Sequence, residues 1–169
     1  MGYVVFLGTK LLAEGSLAVA FAQAVANPGA LIFDSQSGKL VDIDPTRPPA
    51  PEAKGPGRPK LGVTAREVTL LPRHWEWLAA QPGGASVALR KLVETASRDP
   101  KAARNAARDG AYRFASAMAG NEAGFEEAMR ALYAGKRKRF RRQIEAWPPD
   151  VRAQLEKMAA PVFDSDNED

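Results

Sequence analysis

Val68-Thr-Leu-Leu-Pro-Arg-His-Trp-Glu-Trp-Leu-Ala-Ala80, followed after Gln81-Pro82 by Gly83-Gly-Ala-Ser-Val-Ala-Leu-Arg-Lys-Leu-Val93, is the most informative stretch of this 169-residue chain. Ala65 to Leu71 reads as a short strand. Pro72 suits the first turn of a helix running to Ala80, because its missing N–H is one a helix start leaves unpaired anyway. Pro82-Gly83-Gly84 breaks that helix. Ser86 is expected to cap a second helix from Val87 to Ala96, with Leu89, Leu92 and Val93 on one face. Trp75 and Trp77 stand two apart, so a helix sends them to different sides. Trp75 is expected in the core and Trp77 at a dimer or domain interface. His74 reads as an ordinary surface histidine.

This strand-helix-turn-helix pattern, about 35 residues long, resembles the ribbon-helix-helix DNA-binding family. Trp75, Leu78 and Ala79 take inward positions of the first helix, and Ala88, Leu89, Leu92 and Val93 the apolar positions of the second. The resemblance implies an obligate homodimer in which each chain gives one strand to an antiparallel ribbon that enters the major groove of double-stranded DNA. It also implies a phosphate held at the start of the second helix. Arg66, Thr69, Arg73 and Ser86 are the DNA-binding candidates it supplies. A lone strand cannot satisfy its own backbone, and a two-stranded ribbon fits the major groove. Alternation leaves two faces open: Arg66, Val68 and Leu70 outward, or Ala65, Glu67, Thr69 and Leu71 outward.

Upstream, six of the sixteen residues 45–60 are proline, which marks an extended linker. Gly57-Arg58-Pro59 resembles the core of an AT-hook, with Pro56 where that motif has arginine. The resemblance implies that Arg58, with Lys60 beside it, enters a narrow A·T minor groove.

Residues 1–44 read as a small α+β module. Tyr3–Leu7 is a strand, Leu11–Ala13 a second short apolar segment, and Leu17–Ala26 a helix capped by Ser16. Leu31–Phe33 and Leu40–Ile43 are two further strands. By outline this order resembles β-grasp-like modules.

Downstream, residues 99–160 read as helical. Pro100 opens a long helix to Met118, and Phe125, Met129, Leu132 and Tyr133 form an apolar stripe ended by Gly135. A last helix runs from Asp150 to about Ala159. Lys136-Arg137-Lys138-Arg139-Phe140-Arg141-Arg142 is basic at six of seven positions. With Phe140, Ile144 and Trp147 on one side of a helix, Lys136, Arg137, Arg139, Arg141 and Arg142 become phosphate-binding candidates. Residues 161–169 read as an acidic disordered tail. Net charge is −1 over residues 1–50, +9 over 51–160 and −4 over 161–169, for a total of +4. Positive charge concentrated in the middle and late chain points to a polyanionic partner, and the tail can lie against it.

There are no cysteines and one histidine, which excludes a disulfide scaffold, a thiolate metal site and a multi-histidine metal site. Gly8-Thr9-Lys10 lacks the spacing of a phosphate-binding P-loop. No metal, cofactor or catalytic residue is expected, nor an enzyme. No apolar run reaches the length of a membrane span, so no membrane partner is expected and the location is cytoplasmic, at the nucleoid if DNA is bound. Phe33-Asp-Ser-Gln-Ser-Gly38, Gly57-Arg-Pro-Lys-Leu-Gly-Val63, Ala111-Tyr-Arg-Phe114 and Trp147-Pro-Pro-Asp-Val-Arg152 together resemble a bacterial family known only as a domain of unknown function. The resemblance implies a bacterial origin and no activity. The expected function is that of a dimeric bacterial DNA-binding protein, a transcriptional regulator or nucleoid-associated factor. The alternative is a protein–protein interaction module in which the central unit only dimerises.

Overall fold

In β1 (Tyr3–Leu7), alternate side chains serve two different cores. Val4 and Phe6 face one way and Val5 the other, as the two-residue period of a strand requires. The computed structural model describes residues 2–49 and 66–163, and shows an α+β protein. β1 is the centre of a three-stranded antiparallel sheet, flanked by β2 (Lys10–Gly15) and β3 (Leu31–Asp34). Gly8, at φ 59°, makes the tight turn into β2. The β1–β2 register slips between Val5 and Phe6, so that Val5 faces Ala13 and Phe6 faces Leu11. α1 (Leu17–Ala26) packs Ala20 with Val5 and Ile32 on one face of the sheet. Ser16 precedes α1 as expected, but its side chain makes no capping hydrogen bond.

The expected strand at Leu40–Ile43 is corrected: it is reduced to a single bridge between Phe33 and Leu40. The preceding turn explains this. Asp34 Oδ1 accepts the N–H groups of Gln36 and Ser37 and the Ser37 hydroxyl, and Gly38, at φ 63°, presses against Gly110. The chain leaves this turn and meets β3 again only around that bridge, where Asp34 N–H donates to Lys39 O at 2.9 Å and Val41 N–H to Ile32 O at 2.7 Å.

The other face of the sheet is covered by helices. α4 (Pro100–Ala119) contributes Ala111, Phe114, Ala115 and Ala119, and α7 (Pro149–Phe163) contributes Val151, Leu155, Ala159 and Val162. Phe114 packs edge-on against Phe33 at 5.2 Å and lies 5.6 Å from Phe6. α5 (Phe125–Tyr133) and α6 (Arg137–Gln143) complete the core with Ala128, Leu132 and Phe140. Trp147 stacks on Phe125 at 6.3 Å and donates its indole N–H to Ala123 O. The described residues of 1–49 and 100–163 thus fall in one compact unit, where the sequence suggests separate modules at 1–44 and 99–160. Three short strands with an apolar face of Val4, Phe6 and Phe33 need a cover, and the C-terminal helices supply it. Two polar ties join the sheet to α7: Leu11 N–H donates to Asp150 Oδ2 at 2.9 Å, and Lys157 pairs with Glu14 at 2.8 Å.

Residues 50–99 form a second unit, whose described part holds α2 (Pro72–Ala79) and α3 (Gly84–Ser97). Pro72 opens α2 as expected. The cap of α3 is Gly83, at φ 87°, and Ser86 is the third residue of the helix; the two glycines start it earlier than the serine signal suggests. Residues 66–71 form no strand, and Arg66 to Thr69 are exposed with no partner strand among the described residues. The expected core position of Trp75 is also corrected. Trp75 is 42% exposed and Trp77 53%, and the buried residues of the two helices are Leu78 and Ala88. A two-helix hairpin has too little area to enclose two indoles. Two helices joined by a turn are thus present where expected, and the expected strand is not.

Candidate nucleic-acid interface

The basic run 136–142 begins where α5 stops. Lys136 N–H bonds to Ala131 O at 2.9 Å and Gly135 N–H to Leu132 O at 3.1 Å, with Gly135 at φ 69°. This paired closure of a helix end needs a left-handed residue, which glycine adopts without strain. It turns the chain directly into α6, and α6 is anchored by the buried ring of Phe140 against Phe163 at 5.4 Å. Two of the six basic groups brace the helix. Arg139 pairs with Glu127 at 2.5 Å and Arg141 with Glu156 at 3.4 Å. The other four, Lys136, Arg137, Lys138 and Arg142, are exposed and form no ion pair among the described residues.

Beside this turn lies a polar cleft of about 280 Å³ between the first half of α4 and the end of α5. Lys101, Arg104, Asn105 and Arg108 line it from α4, Tyr133 from α5 and Val162 from α7. The Arg108 guanidinium sits over the Tyr133 ring at 5.5 Å and donates to Asn105 Oδ1 at 3.2 Å; its buried Nε has no hydrogen-bond partner among the described residues. Tyr133 packs edge-on to Tyr112 at 6.1 Å. Burial first, then the charge of Asp109 and the neighbouring Tyr112, push the Tyr133 phenol above its ordinary range, so it stays a neutral donor. The first turns of α4 hold Lys101 and Arg104 and no acid. A smaller depression is lined by Arg137, Arg141, Glu156 and Phe163, the last of these the chain neighbour of Val162.

The structure therefore sets Gly135, just before the basic run, beside Lys101, Arg104 and Arg108, which the sequence does not single out. Their signal is spacing: 101, 104, 105, 108 and 112 recur every three or four residues and share one face of a helix. Arg66, Thr69, Arg73 and Ser86 lie on the second unit, all exposed. His74 is exposed there too. Arg58 and Lys60 fall outside the described residues. Among the described residues no group of histidine, aspartate or glutamate side chains is arranged to hold a metal ion, and no helix is long and apolar enough to cross a membrane.

A protein-family profile described as "Uncharacterized protein conserved in bacteria (DUF2239)" matches residues 2–159. The chain belongs to this family. The DUF2239 match takes in the sheet, the central hairpin, all of α4 to α6 and most of α7, so the basic helix and every residue lining the cleft except Val162 lie on family sequence. Comparison with curated proteins and with solved structures returned no match.

Proposed function

We propose that this bacterial protein is a homodimeric binder of double-stranded DNA, with a regulatory or nucleoid-organising role. The observation that carries the reading is the group Lys136, Arg137, Lys138 and Arg142, four exposed cations without ion-pair partners among the described residues, next to a cleft lined by Lys101, Arg104 and Arg108. Cations that balance no acid among the described residues are available to replace counterions on a phosphate backbone. The neutral Tyr133 hydroxyl adds a hydrogen-bond donor. Arg66, Thr69, Arg73 and the Ser86 N–H on the central unit, with Arg58 and Lys60 before it, are further proposed contacts.

The dimer is supported by the central hairpin. Leu71, Trp75, Trp77, Leu92 and Val93 are all substantially exposed there. Apolar side chains at that density on two short helices fit a self-complementary cover. The same surface supports the second reading, a protein-interaction module without DNA. Titration of a labelled random-sequence duplex at two salt concentrations separates them: a DNA binder loses affinity steeply with salt and answers to the α6 cations, whereas an interaction module binds weakly and does not.

A further inference from the structure

We propose that the cationic cleft is an intramolecular docking site for the chain's own acidic residues 164–169, which a polyanion must displace. Val162 lines the cleft, and Phe163, the last described residue, lines a smaller depression with Arg137 and Arg141. The end of α7 therefore stands beside cations from both α4 and α6. The next six residues, Asp164-Ser-Asp-Asn-Glu-Asp169, carry four carboxylates and no cation. Fully extended they span about 20 Å, so every cation lining the cleft that already holds Val162 is within reach. Tethering converts a weak carboxylate–guanidinium contact into an intramolecular one, at an effective concentration on the order of millimolar. The lining suits such a ligand: it presents Lys101 and Arg104 from the first turns of α4, the Nε of Arg108, which has no partner among the described residues, and the hydroxyl of Tyr133. The docking itself is independent of DNA, and only the displacement step rests on the function proposed above.

The chain has no cysteine, so an introduced pair reports proximity without background. Asn105→Cys combined with Asn167→Cys changes no charge and places one thiol in the cleft and one in the acidic segment. Under mild oxidation of the full chain, an intrachain disulfide is expected to form about tenfold faster or more than in Asn27→Cys with Asn167→Cys, whose first thiol lies at the end of α1. Molar salt is expected to remove that advantage. Equal rates for the two pairs, or coupling only between chains, overturns the proposal. Neutralising the segment with Asp164→Asn, Asp166→Asn, Glu168→Gln and Asp169→Asn is expected to tighten random-duplex binding several-fold at low salt. Unchanged or weaker binding overturns the displacement. If neither chain binds duplex, the DNA reading fails, while the disulfide rates still decide the docking.

Discussion

Gly38 and Gly110 meet backbone to backbone: a Cβ on Gly38 would stand 2.1 Å from Gly110 O, and one on Gly110 2.4 Å from Gln36 O. Arg113 secures the same joint by donating to Ser37 O at 2.9 Å. The contact sets the turn after β3 directly on α4, the helix that carries Lys101, Arg104 and Arg108.

Gly110→Ala is accordingly expected to cost roughly 2–4 kcal/mol, because neither backbone can retreat without unpacking Phe33 from Phe114. Gly29→Ala provides the contrast. Gly29 has φ 92° but open space around its missing side chain, so only conformational strain of about 1–2 kcal/mol is expected. Urea unfolding of the two variants checks this; an equal or reversed order contradicts the close approach.

Asp34 holds the other side of the joint. Partial burial pushes its carboxyl up, but the hydrogen bonds from Ser37 N–H, the Ser37 hydroxyl and Gln36 N–H outweigh it and hold the group below its ordinary value of 3.8. A carboxyl lowered in the folded state contributes stability above its unfolded value, lost as pH falls through the folded one. The stability difference between the native chain and Asp34→Asn is therefore expected to be full at neutral pH and to shrink on acidification below about 3.8. A difference independent of pH contradicts the hydrogen-bonding account.

Local signals in the sequence carry most of the element ends. Pro72 and Pro100 open helices, Gly135 closes one, and the alternation at Tyr3–Leu7 makes the central strand. What they do not carry is long-range packing. Nothing near Gly38 announces Gly110, and nothing in Leu40–Ile43 announces that a turn tied to α4 will limit that segment to one bridge. The basic run is legible as charge, but the division between Arg139 and Arg141, which brace, and Arg137 and Arg142, which stay open, depends on Glu127 and Glu156 from other helices. The face of Lys101, Arg104 and Arg108 is diluted by alanines, and becomes a wall only when α5 closes beside it.

The exposed apolar face of the central hairpin predicts the oligomeric state. Light scattering of the native chain is expected to give twice the 18.2 kDa chain mass at micromolar concentration, and Trp77→Glu with Val93→Glu to shift it toward the monomer. A stable native monomer contradicts the dimer.

The two classes of arginine on α6 predict separable defects. Arg139→Ala with Arg141→Ala removes two partly exposed ion pairs and is expected to lower stability by about 1 kcal/mol or less per pair, visible as a small drop in thermal midpoint. Arg137→Ala with Arg142→Ala is expected to leave that midpoint within error. Equal drops for both pairs contradict the assignment.

The DNA reading is tested most directly by the salt dependence of random-duplex binding, comparing the native chain with Arg137→Ala, Lys138→Ala and Arg142→Ala combined. The native chain is predicted to show a linear fall of log affinity with log salt, and the triple variant a slope shallower by about 0.9 per lost phosphate contact, on all sequences alike. Identical slopes, or no salt-dependent binding by the native chain, would contradict it.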